Sequence, residues 1–303
     1  MPVYVATLVA PDLTEAALAR AAQVLPARAE VRWLAPHEAA DLVYEGERAD
    51  VQTLREASDA DVFVQAAAER DKKLLIADMD STLIGQECID ELAREAGIGE
   101  RVAAITERAM RGELDFEGAL RERVGLLAGL DVAVIERLLA GVITLNPGAK
   151  ALAATFRGRG GYFAIVSGGF TPFTGRVAQW LGADEHRANI LAIENARLTG
   201  EVLAPIQGAQ AKLAALRELR AKFGLAASQV LAVGDGANDL PMLGEAGLGV
   251  AYYAKPKVAA AAHARVEKGD LTALLFAMGV RREEFVGVRQ IVRDAGRPGP
   301  ATT

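Results

Sequence analysis

Apolar and polar positions follow two rhythms along this chain, and the rhythm changes near residue 70. Before that point, residues 3–9, 31–34 and 62–64 are short apolar runs that predict strands, with a weaker strand at 42–44, while 13–25 and 51–57 carry apolar residues at helical spacing. A charged segment, Glu69-Arg70-Asp71-Lys72-Lys73, then runs into the apolar stretch Leu74-Leu75-Ile76-Ala77. From there, strands are predicted at 74–77, 162–166, 230–233 and 248–251, with helical stretches between them. A long helical insertion, about 86–145, separates the first two. Its first helix places Ile89, Leu92, Ala93 and Ala96 on one face, with Gly97 as a stop and Asp90, Glu91, Arg94 and Glu95 directed elsewhere. Further helices are predicted at 101–111, 116–127 and 132–140. Residues 190–206, with Asn195 and Leu198-Thr199-Gly200 between apolar runs, predict a hairpin, and 297–303, holding Gly, Pro and Thr, a frayed end.

The alternation after residue 74 predicts an α/β fold with a Rossmann-like, doubly wound parallel sheet. Because the insertion follows the first strand directly, it forms a helical-bundle cap over the carboxyl edge of that sheet, where such folds bind ligands. The βαββαβ order before residue 70 predicts a small α+β, ferredoxin-like domain. The expected division is 1–70 for this domain, 71–85 and 146–280 for the core, 86–145 for the cap and 281–303 for a tail. Composition narrows the function classes. Lys plus Arg number 34 against 40 Asp plus Glu, a net charge of −6, so a broad electrostatic hold on nucleic acid or on a membrane is disfavoured and an anionic ligand must be met locally. Cys88 is the one cysteine, and His37, His186 and His263 are scattered, so neither a disulfide nor a zinc cluster is expected. No basic region precedes the first apolar stretch, and the most apolar later window, 126–145, is broken by Asp131, Glu136 and Arg137. The expectation is a cytoplasmic protein without a membrane span.

Three predicted strands each end in small polar or acidic residues. The first gives Asp78-Met79-Asp80-Ser81-Thr82, where two carboxylates point the same way and repel unless a cation or a proton relieves them; a plain surface turn is the other reading. The second gives Ser167-Gly168-Gly169-Phe170-Thr171, where a hydroxyl and backbone N–H groups at a strand-to-helix junction can face an anion. The third gives Gly234-Asp235-Gly236-Ala237-Asn238-Asp239, in which Asp235 reaches the crevice of Asp78 and Asp80, although Asn238 or Asp239 can equally cap the next helix. Oxygen donors from two strands suit Mg²⁺, and three such ends together favour one composite site for phosphoryl chemistry over three unrelated turns. Lys212, in the first turn of the helix before the third strand, is either a solvated charge or the cation this acidic site needs.

These motifs, in this order and spacing, resemble those of the haloacid dehalogenase superfamily. Within it, Glu87-Cys88-Ile89-Asp90-Glu91-Leu92-Ala93, Arg121-Glu122-Arg123-Val124 and the run Gly-Asp-Gly-Ala-Asn-Asp-Leu-Pro-Met at 234–242 are similar to phosphoserine phosphatases of the bacterial SerB type. The resemblance covers about residues 72–277. It implies an Mg²⁺-dependent hydrolysis of O-phospho-L-serine, the last step of serine biosynthesis, with Asp78 as nucleophile and Asp80 as general acid and base. It further implies that Ser167, Gly168, Gly169, Lys212 and Asn238 meet the phosphate. The metal would be held by the Asp78 and Asp235 side chains and the Asp80 backbone carbonyl. In the cap, Glu87 is expected against the substrate ammonium and Arg123 against its carboxylate, with Met110 and Phe116 closing over the ligand or, alternatively, filling the bundle core. The amino-terminal domain resembles the ACT-like leader of longer members, an oligomerisation or regulatory module that would fit a homodimer. Two other readings stay open: the same machinery acting on phosphohomoserine, phosphothreonine or another small phosphomonoester, and a metabolite-binding module in which the phosphatase fold is secondary.

Overall fold

A computed structural model describes residues 1–287. The first 66 residues form β1 (Val3–Val9), α1 (Glu15–Gln23), β2 (Glu30–Ala35), β3 (Ala39–Glu45), α2 (Val51–Ser58) and β4 (Asp61–Ala66). Both helices start on side-chain caps: Thr14 accepts from the N–H of Ala17, and Asp50 from that of Thr53. The four strands pair antiparallel in the order β2-β3-β1-β4.

The rest is built on β5 (Leu74–Ala77), followed by the insertion α3 (Cys88–Glu95), α4 (Gly99–Met110), α5 (Phe116–Gly125) and α6 (Ala133–Gly141). There follow α7 (Ala149–Gly158), β6 (Tyr162–Phe170), α8 (Thr171–Leu181), β7 (Glu185–Glu194), β8 (Arg197–Leu203) and α9 (Ala209–Lys222). The chain continues through β9 (Val230–Gly234), α10 (Leu240–Glu245), β10 (Leu248–Tyr252), α11 (Pro256–Ala261), β11 (Ala264–Val266) and α12 (Ala273–Ala277). One sheet runs β11-β10-β9-β5-β6-β7-β8, parallel throughout except for β8. Strand β5 alternates between two cores: Leu74 and Ile76 pack with Leu216 and Leu219 of α9, Leu75 and Ala77 with Leu152 and Phe156 of α7. Helices on both faces with β6 and β9 flanking the first strand confirm the doubly wound sheet. The crevice therefore opens at the carboxyl ends of β5, β6 and β9.

One expectation is corrected, and some elements lay beyond the sequence pattern. Ser167, Gly168 and Gly169 lie inside β6, which continues to Phe170, rather than in a turn after it; β6 bulges there and rejoins β7 at Phe170 opposite Asn189. The hairpin stands where the pattern placed it, with Ile190 to Glu194 antiparallel to Arg197 to Leu203, but β7 itself starts earlier: 185–189 pair in parallel with β6, and their charged residues hid this part of the strand, whose Arg187 is tied to Glu185 and Glu218. β11, α11 and α12, each of six residues or fewer, carry too little pattern to have been predicted. The end at 297–303 lies outside the described residues.

The amino-terminal sheet is docked on the core rather than tethered to it. One of its faces keeps its own apolar cluster under α1 and α2, while Val9, Leu34, Ala39 and Phe63 join the main core. Asp61, fully buried, accepts the backbone N–H groups of Glu267, Lys268 and Gly269. Arg70 joins Asp41 and Thr7 to the carbonyls of Phe276 and Ala277.

Candidate active site

Asp78 follows β5, and its N–H still donates to Val233 O of β9, so the sheet ladder fixes its backbone. Its Oδ1 accepts the N–H of Met79 at 2.7 Å, and its Oδ2 lies 2.6 Å from Lys212 Nζ. Beyond Asp80 the chain turns sharply: Ser81 adopts a left-handed φ of 54°, and the N–H groups of Thr82, Leu83 and Ile84 all point to Met79 O. A non-glycine residue in that region is strained, and the neighbours that hold it are specific. Ser81 N–H donates to Gln86 O and Ser81 Oγ to Glu87 Oε1, while Asn146 Nδ2 donates to Thr82 O and Ile84 O from behind.

Lys212 sits on the first turn of α9 with its side chain fully buried, 2.6 Å from both Asp78 Oδ2 and Asp239 Oδ1. Burial disfavours its charge, but Asp239 and Asp78 more than offset this, and the ammonium is held above the ordinary lysine range. The solvated reading of this lysine is therefore excluded. Asp239 uses its second oxygen to accept Gly236 N–H, and Thr82 Oγ1 donates to Asp235 Oδ1 at 2.9 Å. Carboxylate oxygens of Asp78, Asp235 and Asp239 lie within 4.8 Å of one another. Burial first, then Asp78 and Asp239, push the Asp235 carboxyl up to about 7. Lys212 neutralises only part of this cluster, so a hard cation on Asp235 and Asp78 fits the donor set. Asp239, held by Lys212 and Gly236, acts as a support.

Asp80 faces the same crevice from the other side. Its Oδ1 is shut off from solvent and finds no hydrogen-bond partner among the described residues. Burial, followed by the charge of Glu87, holds its carboxyl well above the usual range. Buried Cys88 stands beside it, its thiol pushed up by burial and by Asp80. Opposite lies Ser167, whose buried Oγ accepts Gly169 N–H at 2.9 Å. A side-chain carbon on Gly169 would come within 2.7 Å of Asp80 Oδ2, so this position admits only glycine while Asp80 keeps its place. Gly169→Ala is expected to lower kcat by about 100-fold, because a misplacement near 1 Å costs that much, with little change in melting temperature; a variant with normal kcat would show that Asp80 is not held there.

The cap closes this crevice with Phe116, the first residue of α5. A side-chain carbon on Gly168 would meet its ring at 3.2 Å, and one on Gly208 at 3.1 Å. The ring thus presses on two glycine backbones at the mouth of the site, away from the bundle interior. The same carbon on Gly168 would lie 3.6 Å from Asn238 Nδ2. Met110 is the last residue of α4, and its side chain lies outside what is described. Arg123 Nε donates to Ala119 O, and its guanidinium is pushed down by burial against the opposing charges of Asp90 and Glu87. Burial raises the Glu87 carboxyl, the bond from Ser81 opposes this, and Asp78 raises it further. Thr82, Asn146 and Asn189 are contributors that the sequence alone did not single out.

The family of haloacid dehalogenase-like hydrolases matches residues 75–244, the span from β5 to α10 that carries all three motif strands. The chain belongs to this family. Its similar relatives within the family include phosphoserine phosphatases. The phosphoserine phosphatase of Albidiferax ferrireducens is 48% identical over 210 residues, 68% of this chain and 89% of the relative. That of Streptomyces coelicolor is 45% identical over 238 residues, 78% of this chain and 58% of the relative, so the chain spans about three-fifths of that longer protein. A solved phospho-aspartyl intermediate analogue of phosphoserine phosphatase superposes with a TM-score of 0.64 at 40% identity, covering 68% of this chain and 98% of its own. Among the described residues of this family member, no helix is long and apolar enough to cross a membrane.

Proposed function

We propose that this chain hydrolyses O-phospho-L-serine to L-serine and phosphate through an aspartyl-phosphate intermediate. The observation that carries the reading is a pair of carboxyl groups at one crevice with opposite surroundings: Asp78 is ion-paired to Lys212, whereas Asp80 holds a buried, unpartnered oxygen and a raised pKa. Such divergence is how acid and nucleophile are told apart. Asp78 attacks phosphorus as the serine oxygen leaves, and Asp80 gives that oxygen its proton. Asp80 then takes a proton from the water that attacks the acyl-phosphate, which frees Asp78 and phosphate. Lys212, Ser167 Oγ and Gly168 meet the phosphate oxygens, with Gly169 leaving room and Asn238 nearby. Asp78, Asp235 and the Asp80 carbonyl would hold Mg²⁺, which when bound supplies positive charge against the phosphate. Glu87 and Arg123 take the ammonium and carboxylate of the amino acid, and Phe116 shuts out water.

The division into 1–70, a core of 71–85 and 146–280, a cap at 86–145 and a tail from 281 belongs to this reading. The order β2-β3-β1-β4 supports a ferredoxin-like, ACT-like amino-terminal unit, a dimerisation or regulatory module; light scattering tests the homodimer. Cytoplasmic work suits the single free thiol.

The test is phosphate release from purified protein with and without Mg²⁺, on phosphoserine, phosphohomoserine, phosphothreonine and an aryl phosphate. Phosphoserine is expected to exceed phosphohomoserine and phosphothreonine by about 10- to 200-fold in kcat/KM, the worth of one methylene or methyl in a pocket. Equal turnover of all four esters would overturn the substrate assignment, and no Mg²⁺ dependence would overturn the metal assignment.

A further inference from the structure

Asn189 lies in β7 with its side chain fully buried, and it touches two separate arms of the site. Its Nδ2 donates to Gly168 O at 2.8 Å and to Gln207 O at 3.4 Å, and its Oδ1 accepts the N–H of Gln207 at 2.7 Å. The register explains the need. Pairing of β6 with β7 stops at Val166 opposite Arg187 and resumes at Phe170 opposite Asn189, four steps on one strand against two on the other. The extra residues bulge out of the ladder, and Gly168 O loses the backbone partner a regular strand would give it. Asn189 supplies that partner.

The consequence reaches Ser167. The peptide between Gly168 and Gly169 is held at its carbonyl by Asn189, and its N–H donates to Ser167 Oγ at 2.9 Å. With one acceptor position taken by Gly169 N–H, the Ser167 hydroxyl still has its proton to donate. On the other arm, Gln207 leads into Gly208, whose carbonyl accepts the N–H of Lys212. Resting on the phosphate role proposed above for Ser167 and Lys212, we infer that Asn189 is a positioning residue that sets the spacing of these two phosphate contacts, without touching substrate itself.

Asn189→Ala tests this in the full-length chain, with Asn189→Ser in parallel because the smaller hydroxyl leaves room for water to satisfy the freed backbone groups. Both are expected to lower kcat by about 10- to 100-fold, the usual cost of losing a partner one step behind a functional group. The loss should be by the same factor for phosphoserine and for an aryl phosphate, which share only the phosphate end, and inhibition by inorganic phosphate should weaken about tenfold. A lowered melting temperature with normal kcat and normal phosphate inhibition would overturn the inference, as would a loss confined to phosphoserine. If the unsubstituted chain neither releases phosphate nor is inhibited by it, the phosphate-site reading fails instead.

Discussion

With Asp78 as the proposed nucleophile, Asp78→Asn is expected to lower phosphate release by a factor on the order of 10⁴ to 10⁶, the range seen when a covalent nucleophile is removed from a site that otherwise remains built. The amide has nearly the shape of the carboxylate, so packing is unchanged, but it has one acceptor oxygen where Asp78 uses two, for Met79 N–H and for Lys212. One of these donors is left without its partner, which costs about 1–3 kcal/mol and leaves the chain folded. Acid quenching with labelled phosphoserine should trap phosphate on the unsubstituted chain and none on the variant. Turnover within tenfold of the unsubstituted chain would remove Asp78 from the chemistry.

The catalytic strands were legible because their ends break pattern: an apolar run that stops at Asp78, Ser167 or Gly234 changes character within one residue. The sequence reading leaves the burial of Lys212 open, although the helix spacing carries a trace of it. Lys212, Ala215, Leu216 and Leu219 are the buried residues of α9, at positions i, i+3, i+4 and i+7, so the lysine occupies a core position of an apolar stripe. The docking of the amino-terminal sheet is not read from the sequence; the structure shows it in the burial of every residue from Val5 to Val9, where a strand with a solvated face would alternate. Asn189 left only a weak trace, a residue type that strands disfavour. Its role follows from a two-residue difference in register, a relation between strands that no single stretch records. Asn146 is opaque for the same reason: it holds Thr82 and Ile84 across the whole cap insertion.

Lys212→Met removes the counter-charge between Asp78 and Asp239 and, on the proposed function, a phosphate contact as well, so its two effects are expected to separate by pH. Turnover falls about 10²- to 10³-fold, as it does when any preorganised group that stabilises a phosphate or oxyanion is removed. Stability falls by about 3–5 kcal/mol at pH 8, because two buried carboxylates lose the cation between them, or about ten degrees in melting temperature. Asp239 stands at about 6, raised by burial and by Asp78 and lowered by Lys212, so without the lysine its carboxyl moves higher. A carboxyl raised on folding holds its proton more tightly in the folded state. Its contribution is greatest below the unfolded value near 4 and is lost as pH rises through the folded one. In the variant that loss extends beyond the window set by Asp239 at about 6 and Asp235 at about 7. The gap in melting temperature between variant and unsubstituted chain, measured without divalent ions, should therefore narrow toward pH 5 as the cluster takes up protons. A gap of equal size at pH 5 and pH 8 would mean that Lys212 contributes packing rather than charge.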